Sequence, residues 1–415
     1  GILRNAEIAG NRYKQASENE TNMLDQIYAY MNGEKKLEPN TPTTKAGTPV
    51  EMPENWYKDT PAYYENGKEI EKSKKTASVY AVSDGLNNTI PVPVGFYYVG
   101  GNLESGVVIS DNEKDANKYK DLSDVPSGLK LNSNGELESE LKGNQFIWIP
   151  CNENEYKKET TYIYGSHTEW DIEIDMIGIE QTRKYGGFYV GRYEAGLASD
   201  IEEYTTQQDA LSNIYNIQNK KPQSKAGIVP WNFINYQTAR INSIEMYKEK
   251  NKSVTSGIIT GTSWDVMIKK MWQSDNTKSL TASSSWGNYG YQIFNYLGRS
   301  AVWNDNSKTI GVYSSKTGIS ATSSKGENDL IILTTGASER NKLYNIYDVA
   351  GNLWEYTEET ASFTSGKKQI IGRGGAVCTE ARETDTIKYG AGYRYEANID
   401  DIGGFFGFRV ILYIK

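Results

Sequence analysis

The sequence predicts an α+β fold rich in loops, preceded by an N-terminal amphipathic helix. Apolar runs of strand length are numerous, helical periodicities are few, and long polar stretches separate the two. At 415 residues the chain is ample for a real core, and its length is a soft prior for two to three domains.

Residues 1–33 read as one helix. Leu3, Ala6, Tyr13, Ala16, Met23, Leu24, Ile27 and Met31 recur at three- and four-residue steps, and Gly33 stands where a helix stops. Residues 34–75 read as a linker, since EPNTPTTKAGTPVEMPENW holds Pro, Thr and charge without an apolar period. From Thr76 the strand-like runs begin: SVYAV, IPVPVGFYYVGG, GVVIS, QFIWIP, GGFYVGRYEAG, LIILTTG, IIGRGG and GFRVILYI. Pro91 and Pro93 demote the start of the second run to an edge or lead-in, because proline cannot donate to a ladder. Helical periods cover 238–249 and 263–273, with Thr262 and Asp265 at the N-terminus of the latter. Residues 274–324 are rich in Ser, Thr, Asn and Gly and read as a long loop-dominated excursion. On these features 76–180 form the β-rich first part of a head and 181–415 its core.

Composition narrows function. Lys and Arg number 45 against 53 Asp and Glu, a net charge of -8, so the basic footprint of a nucleic-acid binder is absent. His167 is the single histidine, which excludes a multi-histidine metal site. Cys151 and Cys378 cannot make a structural zinc site, and whether they are bonded stays open. No stretch is apolar enough to span a bilayer. Tyr, at 31, outnumbers Phe and Trp at 9 each, which fits binding surfaces and strands alike.

Seven blocks then occur in order: GGFYVGRYEAG (186–196), VPWNFINYQTAR (229–240), GTSWDVMIKKMW (261–272), NIYDVAGNLWEYTEE (345–359), GRGGAV (372–377), AGYRYEA (391–397) and GFRVILYIK (407–415). Together they resemble the formylglycine-generating-enzyme (sulfatase-modifying factor) family, a variant of the C-type lectin fold. In the residues themselves, Gly351 and Asn352 suit a tight turn, Trp354 buries an indole beside it, and Arg409 is expected to pair with an acid or with carbonyls. The resemblance implies copper chemistry only where two cysteines follow RGG. Cys378 stands near that place without a second cysteine, so no enzyme activity is expected. The iron-dependent relatives need histidines that His167 alone cannot supply. No cofactor is expected, although a structural calcium at Asn352 and Glu355 is allowed by the family's GNxWE turn.

Two further resemblances bear on function. GILRNAEIAGNRYKQASENE is similar to the segment that follows the apolar half of the pilin-like helix in clostridial surface proteins. It implies a type IV pilin-like stalk with its membrane half upstream, on the surface or pilus of a bacterium. Residues 376–406 occupy the place that diversity-generating retroelements rewrite in variable proteins of this fold. The ligand-binding residues this implies are Val377, Cys378, Glu380, Arg382, Tyr393, Tyr395, Glu396, Asn398, Phe405 and Phe406. Large amphipathic and charged side chains mixed in one segment fit a paratope. The expected partner is an unknown protein or glycan, with no nucleic acid. A non-variable pilin subunit, a calcium-dependent glycan lectin and a copper-dependent oxidase are the competing readings.

Overall fold

The computed structural model describes residues 44–59, 63–71, 75–159, 175–201, 207–249, 253–283, 286–304, 309–310, 322–362 and 368–415. The expected helix over 1–33 and His167 lie outside them. After the short ladders of Lys58–Asp59 with Lys75–Thr76 and of Tyr63–Glu65 with Lys68–Glu71, the strands that build the fold around the site begin with β1 (Val79–Ser83), β2 (Thr89–Pro93), β3 (Tyr97–Gly100), β4 (Val107–Ser110) and β5 (Gln145–Pro150). Helix α1 (Met176–Tyr185), β6 (Gly187–Gly191), α2 (Tyr236–Glu245), β7 (Val254–Ile258) and α3 (Gly261–Ser274) follow. The C-terminal part supplies β8 (Trp354–Ser362), β9 (Lys368–Arg373), β10 (Arg394–Asn398), β11 (Phe406–Phe408) and β12 (Val410–Ile414). Strands predominate over helices in an α+β arrangement, as the sequence predicts.

Six strands form an antiparallel sheet in the order β7-β12-β6-β5-β4-β3. β4, β5 and β12 are nearly continuous apolar runs because both of their faces are buried. On β5, Phe146 and Trp148 enter one core cluster while Ile147 and Ile149 enter another. On β12, Val410, Leu412 and Ile414 join the first cluster, and Ile411 and Tyr413 join the second. The β1–β2 hairpin adds Val79, Ala81, Ile90 and Val92 to one cluster. Helix α3 adds Trp264, Met267, Ile268 and Met271 to the other. Alternation along a strand thus sorts residues between two cores rather than between core and water.

Pro91 and Pro93 pair with Ala81 and Val79 in a two-stranded ladder, where no third strand needs their missing donors. Part of the expected linker packs onto this hairpin. Gly47 N donates to Ser83 O at 2.8 Å and Val50 N to Ala81 O at 3.0 Å, and Trp56 is buried against Tyr185. The described residues from Lys45 to Lys415 fall in one compact unit.

Other elements differ from their sequence reading for identifiable reasons. Helix α3 is capped by Thr260, which accepts from Ser263 N at 3.0 Å. Thr262 lies within its first turn, and Asp265 points into the protein toward two arginines. Helix α1 escapes an apolar periodicity because its buried face includes Gly178, Gln181 and Thr182. Gln181 is buried because its amide completes the sheet: it donates to Ile414 O at 2.8 Å and accepts from Ile414 N at 2.9 Å. The run LIILTTG is largely buried and makes only an isolated antiparallel bridge, Leu333 with Ala301, because on its other edge the Asn352 side chain takes both backbone groups of Leu333. Among its described residues the excursion after Ser274 has only short ladders, yet it buries Trp286, Tyr289 and Phe294.

Candidate functional site

Strands β10-β9-β8-β11 form a second sheet in that order, with β8 and β11 parallel. Its two faces carry opposite chemistry, and the cause is the two-residue period. On one face lie Trp354 and Tyr356 of β8, Gly372 of β9, Tyr395 of β10 and Phe406 of β11. On the other, Arg373 pairs across the ladder with Arg394.

The first face is an aromatic strip. Tyr356 stacks on Phe406 at 5.2 Å, Phe406 meets Tyr395 at 6.0 Å, and Tyr395 stacks on Trp354 at 4.8 Å. Tyr389 and Tyr393 continue it, 4.6 Å from each other and each 5.8 Å from Trp354. Gly372 lets rings from both neighbouring strands meet over β9; a Cβ there would stand 3.4 Å from the Phe406 ring. Tyr395 is 39% exposed, Phe405 and Phe406 are half-buried, and Ile387 and Ile399 are exposed nearby.

The second face holds a buried ionic quartet. Asp265 accepts from Arg373 at 2.6 Å and also from Arg394, and Glu359 accepts from Arg394 at 2.7 Å and from Arg373 at 3.3 Å. Burial alone would raise the Glu359 carboxyl, but Arg394 and Arg373 outweigh it and hold the group below its usual range. The quartet ties α3 to β8, β9 and β10, so the backbone under the strip is fixed from behind.

A second buried ion pair anchors the turn before β8. Both oxygens of Glu355 accept from Arg409, at 2.6 and 2.9 Å, and Arg409 also donates to the carbonyls of Gly191 and Tyr347. An acid or carbonyls are the partners expected of Arg409, and it meets both. Asn352, at φ 63°, donates to Glu194 at 2.7 Å and accepts from Asn288 and Leu333. The two calcium candidates are therefore engaged within the protein, Glu355 by a guanidinium and Asn352 by amides.

Burial raises the carboxyls of Glu194, Asp348 and Glu355, and Arg409 opposes it; Asp348 is pushed up to about 7. An acid whose pKa is raised on folding binds its proton more tightly in the native state, so stability is lost as pH rises through the folded pKa. We expect the urea midpoint to fall between pH 5 and pH 8 through these groups. Circular dichroism across that window checks it, and a midpoint that climbs throughout would contradict it. Glu359 works oppositely, but its lowered value confines its effect to acid pH below this window.

The expected ligand residues divide by position. Tyr393, Tyr395, Phe405 and Phe406 come together with Trp354. Cys378 is exposed and lies close enough to Tyr395 to act on its ionisation. Val377 is 0% exposed, in a cluster with Leu353 and Ile402, so it cannot touch a ligand; the strand-to-turn bend at Gly374 and Gly375 carries it inward. Tyr393 is likewise buried, beneath its neighbours rather than on the surface. Glu380 and Arg382 pair with each other at 2.8 Å, and Arg382 lies 4.3 Å over the Tyr291 ring. Glu396 and Asn398 alternate onto the face opposite Tyr395. Trp354, Tyr356 and Gly372 were not singled out as site residues. Their signal is the W-x-Y alternation of β8, visible only once β9 and β10 are known to flank it.

Cys151 and Cys378 are both free. Desolvation pushes Cys151 up to about 12 and the crowded thiol of Cys378 up to about 11, so both stay protonated near neutrality and are weak nucleophiles. Among the described residues no group of three or more His, Cys, Asp and Glu is placed to hold a metal ion.

No family model and no curated protein matches the chain. A solved structure described as "Crystal Structure of CarF" is similar over 55% of this chain and 87% of its own, at 13% identity and a TM-score of 0.32, a level that assigns neither fold nor function.

Proposed function

We propose that this chain is a surface-displayed, pilin-like ligand-binding protein. In this reading a C-type lectin scaffold of the formylglycine-generating-enzyme type presents segment 376–406, and a retroelement diversifies that segment. The observation that supports it most is the division of labour across the second sheet: partly exposed rings on one face, a buried quartet of charges on the other. Such a platform lets surface side chains change while the backbone keeps its place. Binding is non-covalent, with Tyr395, Phe405 and Phe406 as apolar anchors and Cys378, Glu380 and Arg382 at the margin. Glu396 and Asn398, on the other face of β10, contribute only around that edge strand.

Two measurements test this. Alanine at Tyr395 together with Phe406 should weaken capture of a selected ligand by about tenfold or more, the usual scale of aromatic hot spots. An unchanged affinity in a folded double variant would remove the site. Sequencing independent copies of the gene should find differences at exposed positions such as Cys378, Glu380 and Tyr395, and sparing of Val377, Arg394 and Ala397, which are buried. Identical copies throughout would favour a structural pilin subunit instead.

A further inference from the structure

We propose that the aromatic strip receives a basic peptide segment, one that places lysine or arginine beside an apolar side chain. This rests on the ligand-binding reading above and adds the chemistry of the partner.

The charge around the strip is one-sided. Within 376–406 the carboxylates are Glu380, Glu383, Asp385, Glu396, Asp400 and Asp401. The cations are Arg382, Lys388 and Arg394. Arg394 is buried and spent on Asp265 and Glu359 behind the sheet. Arg382 is held by Glu380 and Asp385, and Lys388 lies 3.7 Å from Glu383. The acids at the far end of the strip have a different setting. Asp400 is exposed, and Asp401 is half-buried in the turn that closes onto the rings. Tyr356 donates its hydroxyl to Asp401 O at 3.0 Å, which fixes this turn against the strip. Asp401 acts on the ionisation of both Tyr356 and Tyr395, and Glu396 on that of Tyr393 and Tyr395, in each case raising it beyond what burial does.

Exposed aromatic faces beside carboxylates attract cations twice, through the ring quadrupole and through charge. Tyr395 and Phe406 are partly exposed and are backed by the buried rings of Trp354, Tyr356 and Tyr393, so they suit a segment lying over these two rings. The exposed Ile387 and Ile399 of the same segment offer apolar contact for the stem of a charged side chain. An acidic peptide would meet like charge, which costs affinity and slows encounter.

The test uses the full chain, immobilised, to select from a phage library of random peptides, with a glycan array run in parallel. Enriched peptides should carry net positive charge. Their affinity should fall by about tenfold or more in Tyr395→Ala. It should also fall several-fold in the double variant Asp400→Asn, Asp401→Asn, and between about 50 and about 500 mM salt. The Asn pair keeps an acceptor for the backbone N–H of Asn398, and circular dichroism confirms folding. Enriched peptides that are neutral or acidic yet depend on Tyr395 would overturn the basic partner and leave the binding site standing. A Tyr395-dependent, salt-insensitive glycan signal would do the same. Selection that yields no Tyr395-dependent binder in either format would overturn both.

Discussion

Arg409→Leu is expected to destabilise the protein by about 3–5 kcal/mol, the range for removing one partner of a buried ion pair. Arg409 is fully buried and faces Glu355 with two donors, and two more donors serve Gly191 O and Tyr347 O. Glu194 and Asp348 act on the same buried region, and both are already raised by burial with Arg409 opposing. Leucine supplies volume but leaves Glu355 without its cation beside two other acids. The cost should therefore shrink at low pH, where these carboxyls take up protons, and should also shrink in Arg409→Leu combined with Glu355→Leu. Urea unfolding at pH 5 and pH 8 measures both. A single variant as stable as the parent would mean that the pair is not what holds β12 to β8.

Asp265→Ala is expected to cost a similar amount, about 3–5 kcal/mol. Asp265 accepts from Arg373, from Arg394 and from Glu159 N, all at a buried position. Its loss leaves two guanidiniums facing Glu359 alone, since Lys158 at 3.4 Å from Glu359 adds another positive charge. Arg394 precedes Tyr395 on β10, so the loosened ladder should reach the strip. Near-ultraviolet circular dichroism of the stacked rings should weaken along with the urea midpoint. A stable variant with an unaltered aromatic signal would show that the quartet does not fix the ligand face.

The sequence made some of this legible and concealed the rest. The runs QFIWIP and GFRVILYI are read as strands because apolar stretches of that length bounded by turns have few other solutions. The run LIILTTG has the same appearance but shrinks to a single bridge, because the backbone groups of Leu333 on one edge are taken by the Asn352 side chain, a partner no local pattern encodes. Gln181 and Thr182 hid helix α1 for the complementary reason: polar residues are buried there by hydrogen bonds to distant backbone or to the helix itself. In the candidate site, the segment 376–406 was found by its place after GRGG and its mixed composition. That Val377 points inward while Tyr395 points outward follows from backbone bends and strand register, which a linear reading does not contain.

By itself the sequence determined the α+β class, the absence of a basic footprint and of a histidine-rich metal site, and that Arg409 needs an acid or carbonyls as partners. These follow from counts, from local periodicity and from the cost of an unpaired buried charge. Tertiary structure decided which acid Arg409 meets, that Asp265 is an ion-pair partner and not a helix cap, and that the tyrosines split between core and surface. The Trp354–Tyr395 stack joins residues far apart in the chain, across a strand whose Gly372 leaves the space. Contacts of that kind are set by strand order and register, and neighbouring residues along the chain carry no record of them.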